Sequence, residues 1–110
     1  AAKLTLLHVI ASIEHVPYEE LADFYATLEQ RAGEALEGWR QELADQGLQV
    51  GWEIVLGRRT AEIVRWAGEH EVDLIVMESH RIDPQHPTEG LATLSHQVAV
   101  LAPCPVLLVK

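Results

Sequence analysis

The side chains best equipped for chemistry gather in DLIVMESHRIDPQHPTEGLATLSHQV, residues 73–98. This stretch reads as a buried strand, a loop and a helix, the order in which α/β folds seat phosphate groups at a helix N-terminus. Glu78, Ser79, His80 and Arg81 follow the strand directly, and Thr93, Ser95 and His96 stand where the helix begins. A phosphate cradle wants glycine in such a turn, because glycine permits positive φ and lets backbone N–H groups approach the anion. Glutamate instead adds a like charge, and two unit charges about 4 Å apart repel by about 1 kcal/mol in water and about 4 kcal/mol at intermediate dielectric. Arginine offers a bidentate clamp without rebuilding a backbone nest.

The other reactive residue types do not assemble into a centre. Ser95 and His96 are neighbours on a helix and point in different directions, so they are not a nucleophile and base by themselves. His80 and His86 share a loop, but no carboxylate or thiolate completes a ligand spacing, and no metal is expected. His8, inside a strand, is expected to be a hydrogen-bonded core imidazole. Cys104 lies between Pro103 and Pro105 with no basic neighbour to stabilise a thiolate, so a structural role is expected. Trp39, Trp52, Trp66, Tyr18 and Tyr25 read as packing residues, not base-stacking platforms. No catalytic residue is assigned, and the chain is not expected to be an enzyme.

The elements that would position these residues follow from the pattern. KLTLLHVI, residues 3–10, is nearly continuous in apolar side chains, as in a parallel strand covered on both faces. From Tyr18 to about Asp45, Leu21, Tyr25, Leu28, Ala32, Leu36, Trp39 and Leu43 recur in steps of four and three, one stripe of a long helix. Pro17 suits its first turn and Gly47 its end. Gly33 and Gly38 inside it each cost about 1 kcal/mol relative to alanine, marking close packing or a bend. LQVGWEIVL, residues 48–56, alternates as a half-exposed edge strand. Thr60 is an expected N-cap for a helix placing Ile63, Trp66, Ala67 and His70 on one face and ending near Glu71. DLIVM and PVLLV read as interior parallel strands, with Leu91, Leu94, Val98 and Leu101 marking a helix between them. Right-handed crossovers turn this order into an α/β fold, a parallel sheet with helices on both faces. Ligands of such sheets sit beyond the carboxyl ends of the strands.

Composition sets the outer bounds. The 110 residues suit one domain. Seventeen acidic against eight basic residues give a formal net charge of −9, which opposes the counterion release that drives nucleic-acid binding. The one basic doublet, Arg58 and Arg59, reads as solvated loop charge at a helix start. No apolar run reaches the roughly 18 residues of a membrane span, no export signal is visible, and a single cysteine fits a reducing cytosol. A cytoplasmic protein is expected.

AKLTLLHVI, EIVRWAGEHEVDLIVMESH and LSHQVAVLAPCPVLLVK together resemble the universal stress protein family over essentially the whole chain. The most specific part is APCPVLLV behind a helix and a VMxSH strand end. The resemblance implies a Rossmann-like fold of that family's type and a homodimer pairing the last strands through Val106, Leu107, Leu108 and Val109. In members that bind ATP, the family pattern is G-x-x-G, about nine residues, then glycine followed by serine or threonine. Those glycines fall here at Glu78, Arg81 and Ala92, Thr93 keeps the hydroxyl, and the spacing between Arg81 and Ala92 is one residue longer.

The resemblance thus outlines a degenerate nucleotide site of Val9, Met77, Glu78, Ser79, His80, Arg81, Ala92, Thr93 and Leu94, in which Val9 and Met77 match adenine and ribose contacts. It implies a non-enzymatic stress-response domain that acts through dimerisation and an unknown protein partner, without a cofactor. The alternative is an ATP switch using Arg81 and Thr93. The family's usual first strand, with its aspartate, and the helix after it have no match in this sequence, so the chain is expected to be incomplete at its N-terminus.

Overall fold

Parallel strand pairing organises the chain, which is described by a computed structural model over residues 2–79, 84–85 and 93–110. The element order is β1 (Lys3–Ala11), a 3-10 turn (Tyr18–Leu21), α1 (Ala22–Asp45), β2 (Gln49–Gly57), α2 (Arg59–Glu69), β3 (Ile75–Glu78), α3 (Leu94–Leu101) and β4 (Val106–Val109). The α/β class and the parallel pairings expected from the sequence are present. The strands form two ladders, β1 with β2 and β3 with β4, and the chain divides into two compact units, Ala1–Arg58 and Arg59–Lys110.

In the first unit β1 and β2 run in register from Lys3 opposite Gln49 to Ala11 opposite Gly57. Helix α1 packs against both strands, and Val9, Ile10, Tyr25 and Leu36 form the buried core. Pro17 precedes the 3-10 turn, so α1 starts at Ala22, four residues after the start expected at Tyr18. The helix stops as expected at Gly47, whose φ of +89° needs no Cβ. There Leu48 N–H donates to the Leu43 carbonyl and Gly47 N–H to that of Ala44, satisfying carbonyls the helix leaves open. Buried Tyr25 accepts a hydrogen bond from Ile13 N–H at 2.9 Å, which ties the loop after β1 to the helix.

Several expectations for this unit fail. β1 is not covered on both faces: along it only Val9 and Ile10 are buried, and His8 is exposed instead of being a core imidazole. A continuous apolar run permits two-sided burial, but a two-stranded ladder with one helix covers one side. Trp39 lies on the predicted stripe yet is 56% exposed. Trp52 packs over Gly33, its Cη2 lying 3.5 Å from where a Cβ on that glycine would sit. Of the close packing or bend expected at the two helix glycines, Gly33 shows the close packing, and Gly38 has open space around it.

In the second unit Ile75 pairs with Val106 and Glu78 with Val109. Helices α2 and α3 pack together and bury Trp66, Ala67, Ser95 and Val98. Thr60 is not the N-cap: α2 begins at Arg59, and the Thr60 hydroxyl donates to Gln97 Oε1 at 2.6 Å. Both strands alternate between half-buried and exposed positions, so neither is the fully interior strand their apolar sequences predict. Val76, Leu107 and Val109 remain 57%, 53% and 50% exposed. Leu91 lies outside the described residues. Of the basic doublet, Arg58 pairs with Glu14 at 3.1 Å on the surface, and Arg59 begins α2 as expected.

Candidate functional site

The carboxyl end of β3 meets the first turn of α3. Ser79 extends the β3–β4 ladder by one bond, its N–H donating to the Val109 carbonyl at 2.7 Å, so the backbone leaving the strand is fixed. The buried Ser95 hydroxyl donates to Ser79 Oγ at 3.3 Å and lies 3.3 Å from Thr93 Oγ1. Thr93 is the N-cap of α3, its hydroxyl accepting from His96 N–H at 3.4 Å and its carbonyl from Gln97 N–H at 3.1 Å. Three hydroxyls therefore tie the strand end to the helix start. They present neutral dipoles that suit positioning or anion contact.

Of the residues expected here, Met77, Glu78, Ser79, Thr93 and Leu94 come together at this junction. Met77 and Leu94 are half-buried and Glu78 is exposed. Val9 is buried in β1 of the first unit. His80, Arg81, His86 and Ala92 lie outside the described residues. Of the four residues expected at a dimer edge, Val106 and Leu108 are half-buried, whereas Leu107 and Val109 are exposed. Cys104 is half-buried with a free thiol. Among the described residues no three His, Cys, Asp or Glu side chains gather as metal ligands, and no helix is long and apolar enough to cross a membrane.

Sequence reasoning weighed Ser95 only as a nucleophile beside His96, so its link to Ser79, sixteen residues away, was missed. Nothing in local spacing announces a contact that the strand-to-helix packing creates. A second cluster, in the first unit, was also missed. Arg40 Nε donates to both Glu37 oxygens at 2.8 and 3.0 Å, and Trp52 Nε1 donates to Glu37 Oε2 at 2.7 Å. The Arg40 hydrogen bonds, followed by that of Trp52, pull the Glu37 carboxyl down from the ordinary 4.5 to about 2. The spacing of Glu37 and Arg40 on one helix face signals the first contact; the Trp52 contact crosses from helix to strand and carries no local signal. On α2, Arg65 is bound by Glu62 and Glu69, which raises its pKa further. Beside it the His70 ring stacks on Trp66 at a centroid distance of 3.8 Å.

Comparison with known proteins agrees with this architecture. The model of the Universal stress protein family matches residues 1–110. Universal stress protein YxiE of Bacillus subtilis (strain 168) is 29% identical over 119 residues, spanning 99% of this chain and 80% of that protein. The solved structure of hypothetical protein MJ0577 superposes with a TM-score of 0.82 at 33% identity, covering 100% of this chain and 76% of that one. Universal stress protein UspA from Lactobacillus plantarum superposes with a TM-score of 0.82 at 26% identity, covering 99% and 78%.

Proposed function

The chain belongs to the universal stress protein family, and we propose that it serves as a non-enzymatic stress-response domain that works through dimerisation and protein contacts in the cytoplasm, its ATP motif eroded. The observation that carries this reading is Glu78. It is the last residue of β3, adjacent to the serine that contacts the first turn of α3, so a residue with a Cβ stands at the strand end where ATP-binding members carry glycine. The N-cap hydroxyl of Thr93 is already engaged with His96 N–H. Arg81 and Ala92, the other two positions where ATP-binding members carry glycine, cannot offer the same backbone freedom.

Calorimetric titration with Mg-ATP tests the reading. No saturable binding is expected for the parent chain, whereas the triple variant Glu78→Gly, Arg81→Gly, Ala92→Gly should acquire it. A parent dissociation constant in the low micromolar range, about −8 kcal/mol, would overturn the proposal. A second reading, an ATP switch using Arg81 and Thr93, draws support from Thr93 capping α3, where an anion meets the positive end of the helix. Binding that Arg81→Ala abolishes would establish it.

Dimerisation draws support from β4. Its strand neighbour is β3, and Leu107 and Val109 expose half their surface. A short apolar strand at the end of a ladder invites a further strand, and pairing about a two-fold axis makes the contact self-complementary.

A further inference from the structure

In the first unit an open groove of about 790 Å³ runs between α1 and β2. Its floor is Gly33, Trp52 and Ile54, and its wall carries Glu29, Glu34 and Glu37 from successive turns of α1. Trp52 is held there by its bond to Glu37 yet stays 37% exposed. Among the described residues no lysine or arginine lines the groove, and β2 ends its ladder, with β1 as its strand neighbour.

We propose that this groove docks an extended cationic segment of a partner protein, one that alternates apolar residues with lysine or arginine. An extended segment lying in the groove turns alternate side chains opposite ways, one set down to the floor and the other up along the α1 wall. Apolar side chains reach Trp52 and Ile54, while basic ones meet Glu29 and Glu34. Charge selects this occupant over a second copy seated about a two-fold axis here, because Glu29 and Glu34 would then face the same residues of the partner copy. The inference extends the partner contacts proposed above but rests on the groove alone. A chain that bound both ATP and such a segment would break the earlier reading and keep this one.

The probe is a fluorescein-labelled peptide, Lys-Val-Lys-Val-Lys-Val-Lys, titrated with the full chain and followed by anisotropy, with a glutamate-for-lysine peptide and spermine as controls. Saturable binding of the basic peptide, none of the acidic one, and no displacement by spermine at matched charge are expected. Two variants separate the site from the fold. Gly38→Leu fills open space at the groove with a better helix former, and Glu29→Lys with Glu34→Lys reverses the wall. Each should weaken binding by about tenfold or more while far-UV circular dichroism stays unchanged. Equal affinity in both variants, displacement by spermine, or no saturation up to about 1 mM would overturn the proposal. So would a dimer of the parent chain that dissociates on reversing Glu29 and Glu34, since the occupant would then be a second copy.

Discussion

The two ladders share parallel pairing and differ in their cover. β1 and β2 pair over nine residues each beneath the 24-residue α1, whereas β3 and β4 pair over four and leave alternate side chains open. In the second unit the helices instead spend their apolar faces on each other, around Val98, which is fully buried. Apolar sequence is therefore a poor guide to burial in a strand: VLLV has no polar residue, and two of its four positions are exposed. What decides burial is whether a helix long enough to cover the strand is delivered to that face.

The largest expected effect tests this difference with one substitution at two places. Leu36, 5% exposed on the buried face of α1, should lose about 3 kcal/mol on Leu36→Ala, from lost transfer energy and the cavity left behind. Leu107, 53% exposed, should lose less than about 0.5 kcal/mol on Leu107→Ala. Urea unfolding of both variants measures the contrast. Equal losses would mean that the open face of β4 is covered in solution, and the contrast between the ladders would disappear.

That possibility leads to the next effect, on assembly. Leu107→Lys should leave the stability of the isolated chain within about 0.5 kcal/mol but put a positive charge on each side of a two-fold axis through the last strand. Light scattering at high concentration should find the parent chain as a dimer and the variant shifted towards monomer. A parent that stays monomeric would remove the dimer from the proposed function and leave the open apolar face without that explanation.

The sequence made the order of elements legible because apolar steps of three and four, and of two, report helices and strands directly. Gly47 and Pro17 announced their turns through backbone freedom and its absence. Cover was not legible: His8 and Trp39 sit on apolar runs and stripes, yet are exposed because the pattern records which face is apolar and not how far the neighbouring element extends. At the candidate site, Glu78 was found from its position at a strand end, and Thr93 from the resemblance to a family pattern of glycine followed by a hydroxyl. The Ser79–Ser95 contact was not, since it depends on how α3 is set against β3. Thr60 shows the same limit, a residue with N-cap chemistry whose hydroxyl found a side-chain partner on another helix.

The smallest expected effect concerns how each ladder is fastened to its helix. In the first unit the tie from α1 to β2 is ionic, through Glu37, with Arg40 and Trp52 donating to its carboxylate. In the second it is the neutral chain of Ser79, Ser95 and Thr93, whose hydroxyls have no proton to gain or lose at moderately acid pH. Because folding lowers the Glu37 pKa from 4.5 to about 2, the tie contributes fully above about pH 4.5 and is lost as the pH falls through about 2. Both partners are at the surface, so solvent screening keeps the effect on global stability small, and the proton itself is the better observable. A carbon-detected NMR titration should give Glu37 a midpoint near pH 2. Arg40→Gln should move that midpoint up more than Trp52→Phe does, since the guanidinium is the larger cause. The Ser79 and Ser95 amide shifts should show no step at the Glu37 midpoint. A Glu37 midpoint that stays near 4.5 in the parent chain would mean that the two ties do not differ in kind.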